Sequence, residues 1–188
     1  EMTIGNNIEI EFKFNTGKVT KENFHSLIED VTDIRQEPFY SVSCDDYYSN
    51  LSEKDSVLRF RKSRKFREIT LKVKQEGNLV RKEFNLQIDN NDSTVLEFLK
   101  LSGYRKEFSI FKEAWIYNLG DCEAAYYTLA DGRSYIELEA KVDDSQARCI
   151  EIITYWADRL HLSDTLTREN RSLFEIFSEE KRNKYEKI

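Results

Sequence analysis

The 188 residues of this chain are the size of one domain, and an apolar share of 39% is enough to build a buried core. Charged residues make up 34% of the chain and leave a formal net charge of −6. That acidic balance argues against a nucleic acid or an anionic membrane surface as the partner.

Hydrophobic periodicity predicts many strands and few helices in chain order. In the first half, the predicted elements are a strand over 8–14, a helix over 20–31 capped by Thr20, and strands over 38–49, 56–63, 67–75 and 79–88, the last two joined by a turn at 76–78. In the second half, they are a helix over 94–101, two or three strands from 104 to 128, a turn at 131–132, a strand over 134–142, and helices over 145–160 and 168–182. This order favours an α+β fold, a closed antiparallel β-barrel with flanking helices.

The cysteine pattern and the hydropathy indicate the cellular compartment of the protein. Cys44, Cys122 and Cys149 are odd in number and widely spaced, which is typical of reduced thiols rather than of a disulfide framework. No signal peptide is visible, and no apolar run is long enough to span a membrane. We therefore expect a cytoplasmic protein with no membrane partner.

Five predicted strands carry almost only Glu, Lys and Arg on one face. Residues of equal parity share a face of a strand, so Glu9, Glu11 and Lys13 point one way and the neighbouring apolar residues point the other. The same parity holds for the charged residues of the later strands: Arg59, Arg61, Lys72, Lys74, Arg81, Glu83, Glu137 and Glu139. If the apolar face packs against helices, these charges line the inside of the barrel.

A charged lining of this kind predicts a specific type of ligand. Charges buried without partners are very costly, and a polyanion bound together with divalent cations resolves that cost. Arg and Lys bind phosphate oxygens, and Arg can do so with two parallel hydrogen bonds. Paired carboxylates suit Mg²⁺ or Mn²⁺, which prefer oxygen ligands. A solvated strand face or a structural lattice of ion pairs is the alternative interpretation of the same pattern.

The charged strands also resemble a known family. Glu9-Ile10-Glu11-Phe12-Lys13 matches the ExExK signature of the CYTH, or triphosphate tunnel metalloenzyme, superfamily. Six further segments resemble the family's motifs in the family's order: Asp45-Asp46-Tyr47-Tyr48, Leu58-Arg59-Phe60-Arg61, Ile69-Thr70-Leu71-Lys72, Arg81-Lys82-Glu83, Tyr135-Ile136-Glu137-Leu138-Glu139 and Ser172-Leu173-Phe174-Glu175-Ile176. ExExK alone is a weak signal in a Glu-rich chain, whereas the ordered set is specific.

The resemblance implies an eight-stranded tunnel formed by a single domain over residues 2–188, with C-terminal helices from about 145. It implies a divalent-metal-dependent hydrolase of inorganic triphosphate or a related triphosphorylated compound, with Mg²⁺ or Mn²⁺ as cofactor. The implied metal ligands are Glu9, Glu11, Glu83, Glu137 and Glu139. The implied triphosphate ligands are Lys13, Arg59, Arg61, Lys72, Lys74, Arg81 and Lys112. The implied catalytic residues are Glu9, Glu11, Lys13 and Glu139.

Two other functions stay open at this point. One is a class IV-type adenylyl cyclase that converts ATP to cyclic AMP and pyrophosphate, and the other is a non-catalytic module that binds a nucleotide or polyphosphate. The partner in each case is a small-molecule triphosphate or nucleotide, and a homodimer is also open.

Two departures from the family's pattern motivate the non-catalytic alternative. Ala114 stands where the family's K-x-R pair has Arg, with Lys112 at the Lys position. Tyr127 stands where the family has an acidic residue, a place that Glu123 or Asp131 would have to fill.

Overall fold

The structure is a computed structural model that describes residues 8–32, 37–52, 55–74, 80–89 and 92–185. The strands are β1 (Ile8–Asn15), β2 (Phe39–Asn50), β3 (Ser56–Ser63), β4 (Arg67–Lys74), β5 (Val80–Gln87), β6 (Tyr104–Asn118), β7 (Cys122–Leu129), β8 (Ser134–Ala140) and β9 (Arg168–Glu169). The helices are α1 (Lys21–Thr32), α2 (Asp92–Leu101), α3 (Gln146–Arg159), α4 (Leu162–Thr165) and α5 (Leu173–Tyr185).

The strands form one antiparallel sheet in the order β5-β4-β3-β2-β6-β7-β8-β1-β9, and an additional pairing of β5 with β1 closes it. The predicted fold class is therefore confirmed: the fold is α+β, a closed eight-stranded antiparallel β-barrel with flanking helices, to which the two-residue strand β9 is added. The region from 104 to 128, predicted as two or three strands, forms two. The predicted turn at 76–78 lies outside the described residues.

The chain divides into two units by internal packing. The first comprises Glu1–Val42 and Lys112–Asn170, and the second comprises Ser43–Phe111 and Arg171–Ile188. The single domain predicted over residues 2–188 stays a prediction. No helix in the described part of the chain is long and apolar enough to cross a membrane.

In the first unit, α3 packs against β8 and β1. The apolar parity of β1 supplies the covered surface, because Ile10, Phe12 and Phe14 are all buried. On α3 the buried residues are Cys149, Ile152, Ile153 and Ala157, with Leu160 following at the cap. Ile150 and Trp156 are half-buried at the edges of this packed side of the helix.

In the second unit, the even-numbered residues of β2 and β3 pack against α2. Tyr48, Leu58 and Phe60 form a buried cluster with Val95 and Leu99 of the helix. Burying an apolar side chain of this size contributes about 1.5–3 kcal/mol. The packing therefore turns the odd-numbered, charged face of β2 and β3 away from α2.

The helix starts and stops follow the expected local chemistry in two places. Thr20 caps α1 as predicted, because its Oγ1 accepts a hydrogen bond of 3.2 Å from the backbone N–H of Asn23. Gly103, two residues after the end of α2, has a φ of 83°, which is costly for residues with a Cβ.

The prediction of a helix over 168–182 is wrong at its N-terminal end. Residues 168–169 form strand β9 on β1, where Arg168 opposes Phe14 and its guanidinium lies 3.3 Å from the ring centroid of Phe12. Helix α5 begins only at Leu173, after a capping box in which Ser172 and Glu175 exchange hydrogen bonds of 2.7 and 3.1 Å. Backbone pairing and the cap together outweigh the helical periodicity of residues 168–172.

Glu107 of β6 ties strands and helix α5 together within the second unit. Its carboxylate accepts hydrogen bonds from Ser49 Oγ at 2.5 Å, Lys181 Nζ at 2.9 Å and Arg105 at 3.0 Å. Burial raises the pKa of Glu107, but these donors outweigh that effect and lower it to about 2. The side chain is only 13% exposed, so the bonds are well shielded from water.

Glu107→Gln is expected to lower the free energy of unfolding at pH 7 by about 1.5–3 kcal/mol, the range for hydrogen bonds to charged groups. Because the folded pKa is depressed from 4.5, the carboxylate stabilises the fold above about pH 4.5, and this stabilisation is lost as the pH falls towards 2. Urea unfolding of both proteins at pH 7 and pH 3 measures the loss, with exposed Glu97→Gln on α2 as control. A difference that does not shrink at pH 3 would contradict this assignment.

Candidate active site

The first unit carries a face of acidic side chains, here called the carboxylate face. It consists of Glu9, Glu11 and Lys13 on β1, Glu137 and Glu139 on β8, Glu123 and Tyr127 on β7, and Lys141 directly after β8. Glu11 lies opposite Glu139, and Glu139 lies opposite Glu123, so three carboxylates stand in one row across three strands. The structure therefore brings together four of the five glutamates predicted as metal ligands.

The next row of the carboxylate face fixes Glu137. Lys13 lies opposite it in the β1–β8 register, with its Nζ 3.5 Å from Glu137 Oε1. The hydroxyl of Tyr127 donates a hydrogen bond of 2.6 Å to the same oxygen. Lys13 is only 4% exposed. A buried ammonium and a phenol thus hold this carboxylate in one orientation.

The carboxyl group of Glu139 has a raised pKa. Burial raises its pKa, and the charges of Glu11 and Glu123 raise it further against the opposing effect of Lys141. Lys141 Nζ lies 2.7 Å from Glu139 Oε1 and 4.0 Å from Glu123 Oε1. The row of carboxylates therefore already binds a cation, which is the ammonium of Lys141.

The two departures from the family's pattern face each other. Ala114 of β6 lies directly opposite Tyr127 of β7, and both are buried. The ammonium of Lys112 lies 4.6 Å from the centroid of the Tyr127 ring. The small side chain thus leaves room for the large one, and the pair replaces an arginine and an acid together.

Of the two acids considered as substitutes for the missing one, only Glu123 lies on the carboxylate face. Asp131 sits in the β7–β8 turn, where the Arg133 side chain donates to it at 2.6 and 2.9 Å. Lys141 was not predicted as a site residue, although the strand predicted over 134–142 gives it the parity of Glu137 and Glu139; its carboxylate partners become visible only in the structure.

The second unit carries a basic face, here called the cationic face. It consists of Arg59 and Arg61 on β3, Lys72 and Lys74 on β4, and Arg81 and Glu83 on β5. The register places Lys72 opposite Glu83 and Lys74 opposite Arg81. All six residues predicted on these strands therefore share one face, as their parity required.

Arg61 is bound by a carboxylate of its own unit. Its Nε and NH2 donate to the two oxygens of Asp45 at 2.8 and 2.6 Å, and Asp45 is fully buried. Burial lowers the pKa of Arg61, but the charge and hydrogen bonds of Asp45 outweigh it and raise the pKa. Asp45 belongs to a recognised motif, but its pairing with Arg61 needs the β2–β3 register.

Arg59 has capacity for a further acceptor. Its NH2 donates to Thr70 Oγ1 at 3.0 Å and lies 3.5 Å from Glu68. Its buried Nε has no hydrogen-bond partner within the described part of the chain. A buried N–H without an acceptor is costly, so this N–H is available to a further acceptor.

The remaining cations of this face already bind carboxylates. Lys72 Nζ lies 2.9 Å from Glu83 Oε2. Lys74 and Arg81 lie 3.6 and 3.8 Å from the carboxylate of Glu175 on α5. Glu175 was not predicted as part of the site. The cationic face is thus arranged to receive anionic oxygens at several positions.

The donors of the carboxylate face fit a hard divalent cation, because every one of its acids offers carboxylate oxygens. Among the residues that the structure describes, no three His, Cys, Asp or Glu side chains already form a group that could hold a metal ion. The Lys141 ammonium shows that a cation is accepted at the Glu139–Glu123 position. The inference that a divalent cation fits this face therefore rests on the carboxylate oxygens that the residues offer, and not on a preformed group of ligands.

The fold and the two charged faces define a β-barrel protein with a face of carboxylate side chains in its first unit and a face of basic side chains in its second unit. The chain belongs to the CYTH domain family, whose model matches residues 7–168. A comparison with curated proteins finds no match.

Several solved structures share this fold. A conserved hypothetical protein from Pyrococcus furiosus is 22% identical, with 89% of this chain and 98% of that chain covered and a TM-score of 0.74. The PH1819 protein of Pyrococcus horikoshii is 17% identical over 92% and 99% of the two chains, also with a TM-score of 0.74. A candidate adenylate cyclase from Vibrio parahaemolyticus is 19% identical over 92% and 99%, again with a TM-score of 0.74. These likenesses extend over nearly the whole chains.

Proposed function

We propose that this protein is a divalent-metal-dependent hydrolase of inorganic triphosphate or a related triphosphorylated compound. The observation that carries the proposal is the buried Arg59 Nε, which has no acceptor among the described residues although it lies in a face of basic side chains. Phosphate oxygens, like carboxylate oxygens, are acceptors that a guanidinium binds strongly. Membership of the CYTH domain family supports the same choice of ligand.

The basic side chains of each unit bind the phosphate oxygens in this proposal. In the second unit they are Arg59, Arg61, Lys72, Lys74 and Arg81, and in the first unit they are Lys13 and Lys112. Arg59 supplies its spare N–H, and Lys72 and Lys74 exchange their present carboxylates for phosphate. Arg61 contributes mainly positive charge, because two of its N–H groups already bind Asp45.

The carboxylates Glu9, Glu11, Glu137 and Glu139, with Glu83, would hold Mg²⁺ or Mn²⁺ in this proposal. A bound divalent cation neutralises charge on phosphoryl oxygens and lowers the pKa of bound water. One carboxylate among Glu9, Glu11 and Glu139 would accept a hydrogen bond from the attacking water and orient it. Lys13, already buried beside Glu137, stabilises the negative charge that develops on the transferred phosphoryl group.

The test is a turnover screen with tripolyphosphate, thiamine triphosphate and ATP, each with Mg²⁺ or Mn²⁺. Phosphate release from tripolyphosphate or thiamine triphosphate, abolished in a Glu11→Ala variant, is the expected result. Product analysis distinguishes the outcomes, since cyclic AMP with pyrophosphate formed from ATP would identify a cyclase. If no substrate gives more product than the Glu11→Ala control does, the hydrolase assignment is contradicted.

Two alternatives have observations in their favour. The similarity to a candidate adenylate cyclase over 92% of the chain favours a class IV-type adenylyl cyclase. The Ala114–Tyr127 pair, in place of an arginine and an acid, favours a module that binds a nucleotide or polyphosphate without turnover. Calorimetry with tripolyphosphate identifies that module if binding is tight while the turnover screen is negative.

A cytoplasmic location and a homodimer are further proposals, and light scattering in solution tests the dimer.

A further inference from the structure

Lys141 places a positive charge among the acids of the carboxylate face. Its Nζ donates a hydrogen bond of 2.7 Å to Glu139 Oε1 and lies 4.0 Å from Glu123 Oε1. Its backbone N–H donates to the carbonyl of Asp121 at 2.9 Å, which anchors the residue at the end of β8. This hydrogen bond fixes the backbone of Lys141 beside the row of carboxylates formed by Glu11, Glu139 and Glu123.

The row would be strongly self-repelling without that ammonium. Glu11, Glu139 and Glu123 stand opposite one another on three adjacent strands, where directly opposed like charges destabilise a sheet. The Lys141 ammonium lowers this repulsion in the same way as a bound cation would. The side chain is still 41% exposed, so its long stem can turn into solvent at little cost.

We infer that Lys141 is a built-in competitor for the divalent cation: its ammonium occupies the cation position at Glu139 when no metal is bound, and it leaves when a metal binds. This inference rests on the proposed function, because it takes Glu139 as a metal ligand. Two cations within a few ångströms of one carboxylate repel each other, so the binding of one weakens the binding of the other. Lys141 therefore sets the metal affinity without contacting the substrate.

The inference has a plain structural alternative. A partly exposed ion pair contributes only about 0–1 kcal/mol, and Lys141 would then affect the metal only through the net local charge. A variant that removes the ammonium but restores the local charge distinguishes direct competition with the metal from an effect of net local charge. Lys141→Met combined with Asp143→Asn does this, because Asp143 is exposed and lies two residues away.

The experiment is calorimetric titration of metal-stripped protein with MnCl2, for the wild type, Lys141→Met, Lys141→Arg and Lys141→Met/Asp143→Asn. We expect Lys141→Met to bind Mn²⁺ about tenfold more tightly than the wild type, as expected when a competing charge is removed. Lys141→Arg should stay within about threefold of the wild type, since it keeps the competing charge. The double variant should stay as tight as Lys141→Met.

Thermal unfolding of the same four proteins gives a second readout. Metal-free Lys141→Met should melt below the wild type because the acidic row repels itself, and Mn²⁺ should raise its melting temperature more than that of the wild type. Equal or weaker Mn²⁺ binding by Lys141→Met would overturn the inference and leave the proposed function standing. A double variant that returns to wild-type affinity would also overturn it. If neither the wild type nor Lys141→Met binds Mn²⁺, both the inference and the metal-dependent function fail.

Discussion

Replacing Glu11 or Glu139 with glutamine is expected to lower kcat for tripolyphosphate by about 10³-fold, because a metal-assisted reaction loses several kcal/mol of charge stabilisation. The two carboxylates lie opposite each other on β1 and β8, so each variant removes one side of the same pair. An amide keeps the shape of the side chain but carries no negative charge for a hard cation. Phosphate release at saturating substrate and Mn²⁺ measures the effect.

Glu151→Gln is the matched control, since Glu151 is an exposed acid on α3 whose ion pair with Arg148 is also on the surface. It should keep full turnover. Circular dichroism and thermal unfolding must show that the Glu11 and Glu139 variants are folded. Wild-type turnover in either folded variant would contradict the assignment of these carboxylates.

The second large effect concerns stability. Arg61→Ala is expected to lower the free energy of unfolding by about 3–5 kcal/mol, the range for breaking a buried ion pair by removing one partner. The loss is large because Asp45 is fully buried and receives two hydrogen bonds from this guanidinium. Urea unfolding monitored by tryptophan fluorescence measures the change in midpoint.

Two further variants make this prediction specific. Arg64→Ala, three residues away in an exposed segment, should change stability by less than about 0.5 kcal/mol, as surface substitutions do. Arg61→Met combined with Asp45→Asn should recover much of the lost stability, because it removes both charges of the pair. A loss below about 1 kcal/mol in Arg61→Ala would show that the Asp45 pair is not a major stabilising contact.

The face on which each charged residue lies could be predicted because a strand has a period of two. Glu9, Glu11 and Lys13 alternate with Ile10 and Phe12, and burial of the apolar set fixes the parity of the others. The same pattern predicted the strands of the barrel in chain order, with two or three left open over 104–128, but it missed β9. The regular geometry of strands therefore allowed most of the fold, and the grouping of the candidate ligands, to be predicted from the sequence.

The partners of those residues could not be predicted, since they depend on strand register and on helix packing. Asp45 becomes the partner of Arg61 only through the β2–β3 register. Glu175 reaches Lys74 and Arg81 from α5, about a hundred residues further along the chain. Lys141 has the parity of Glu137 and Glu139 in the predicted strand over 134–142, but its contact with Glu139 becomes visible only in the structure.

The two departures from the family's pattern show the same difference between sequence and structure. In the sequence, Ala114 and Tyr127 are separate losses of an arginine and of an acid. In the structure they are one register pair, and the phenol of Tyr127 binds Glu137 at 2.6 Å. The pair is thus a joint change of one region, with a new hydrogen bond to a candidate metal ligand.

The most direct measurement of the central claim is phosphate release from tripolyphosphate by metal-stripped protein, before and after Mn²⁺ is added. The proposed function predicts no release without metal and steady turnover with it, and no turnover above background in Glu11→Gln under the same conditions. Release that is equal with and without Mn²⁺ would contradict a metal-dependent reaction on the carboxylate face. Absence of release under both conditions, with folded protein, would contradict the hydrolase of tripolyphosphate itself.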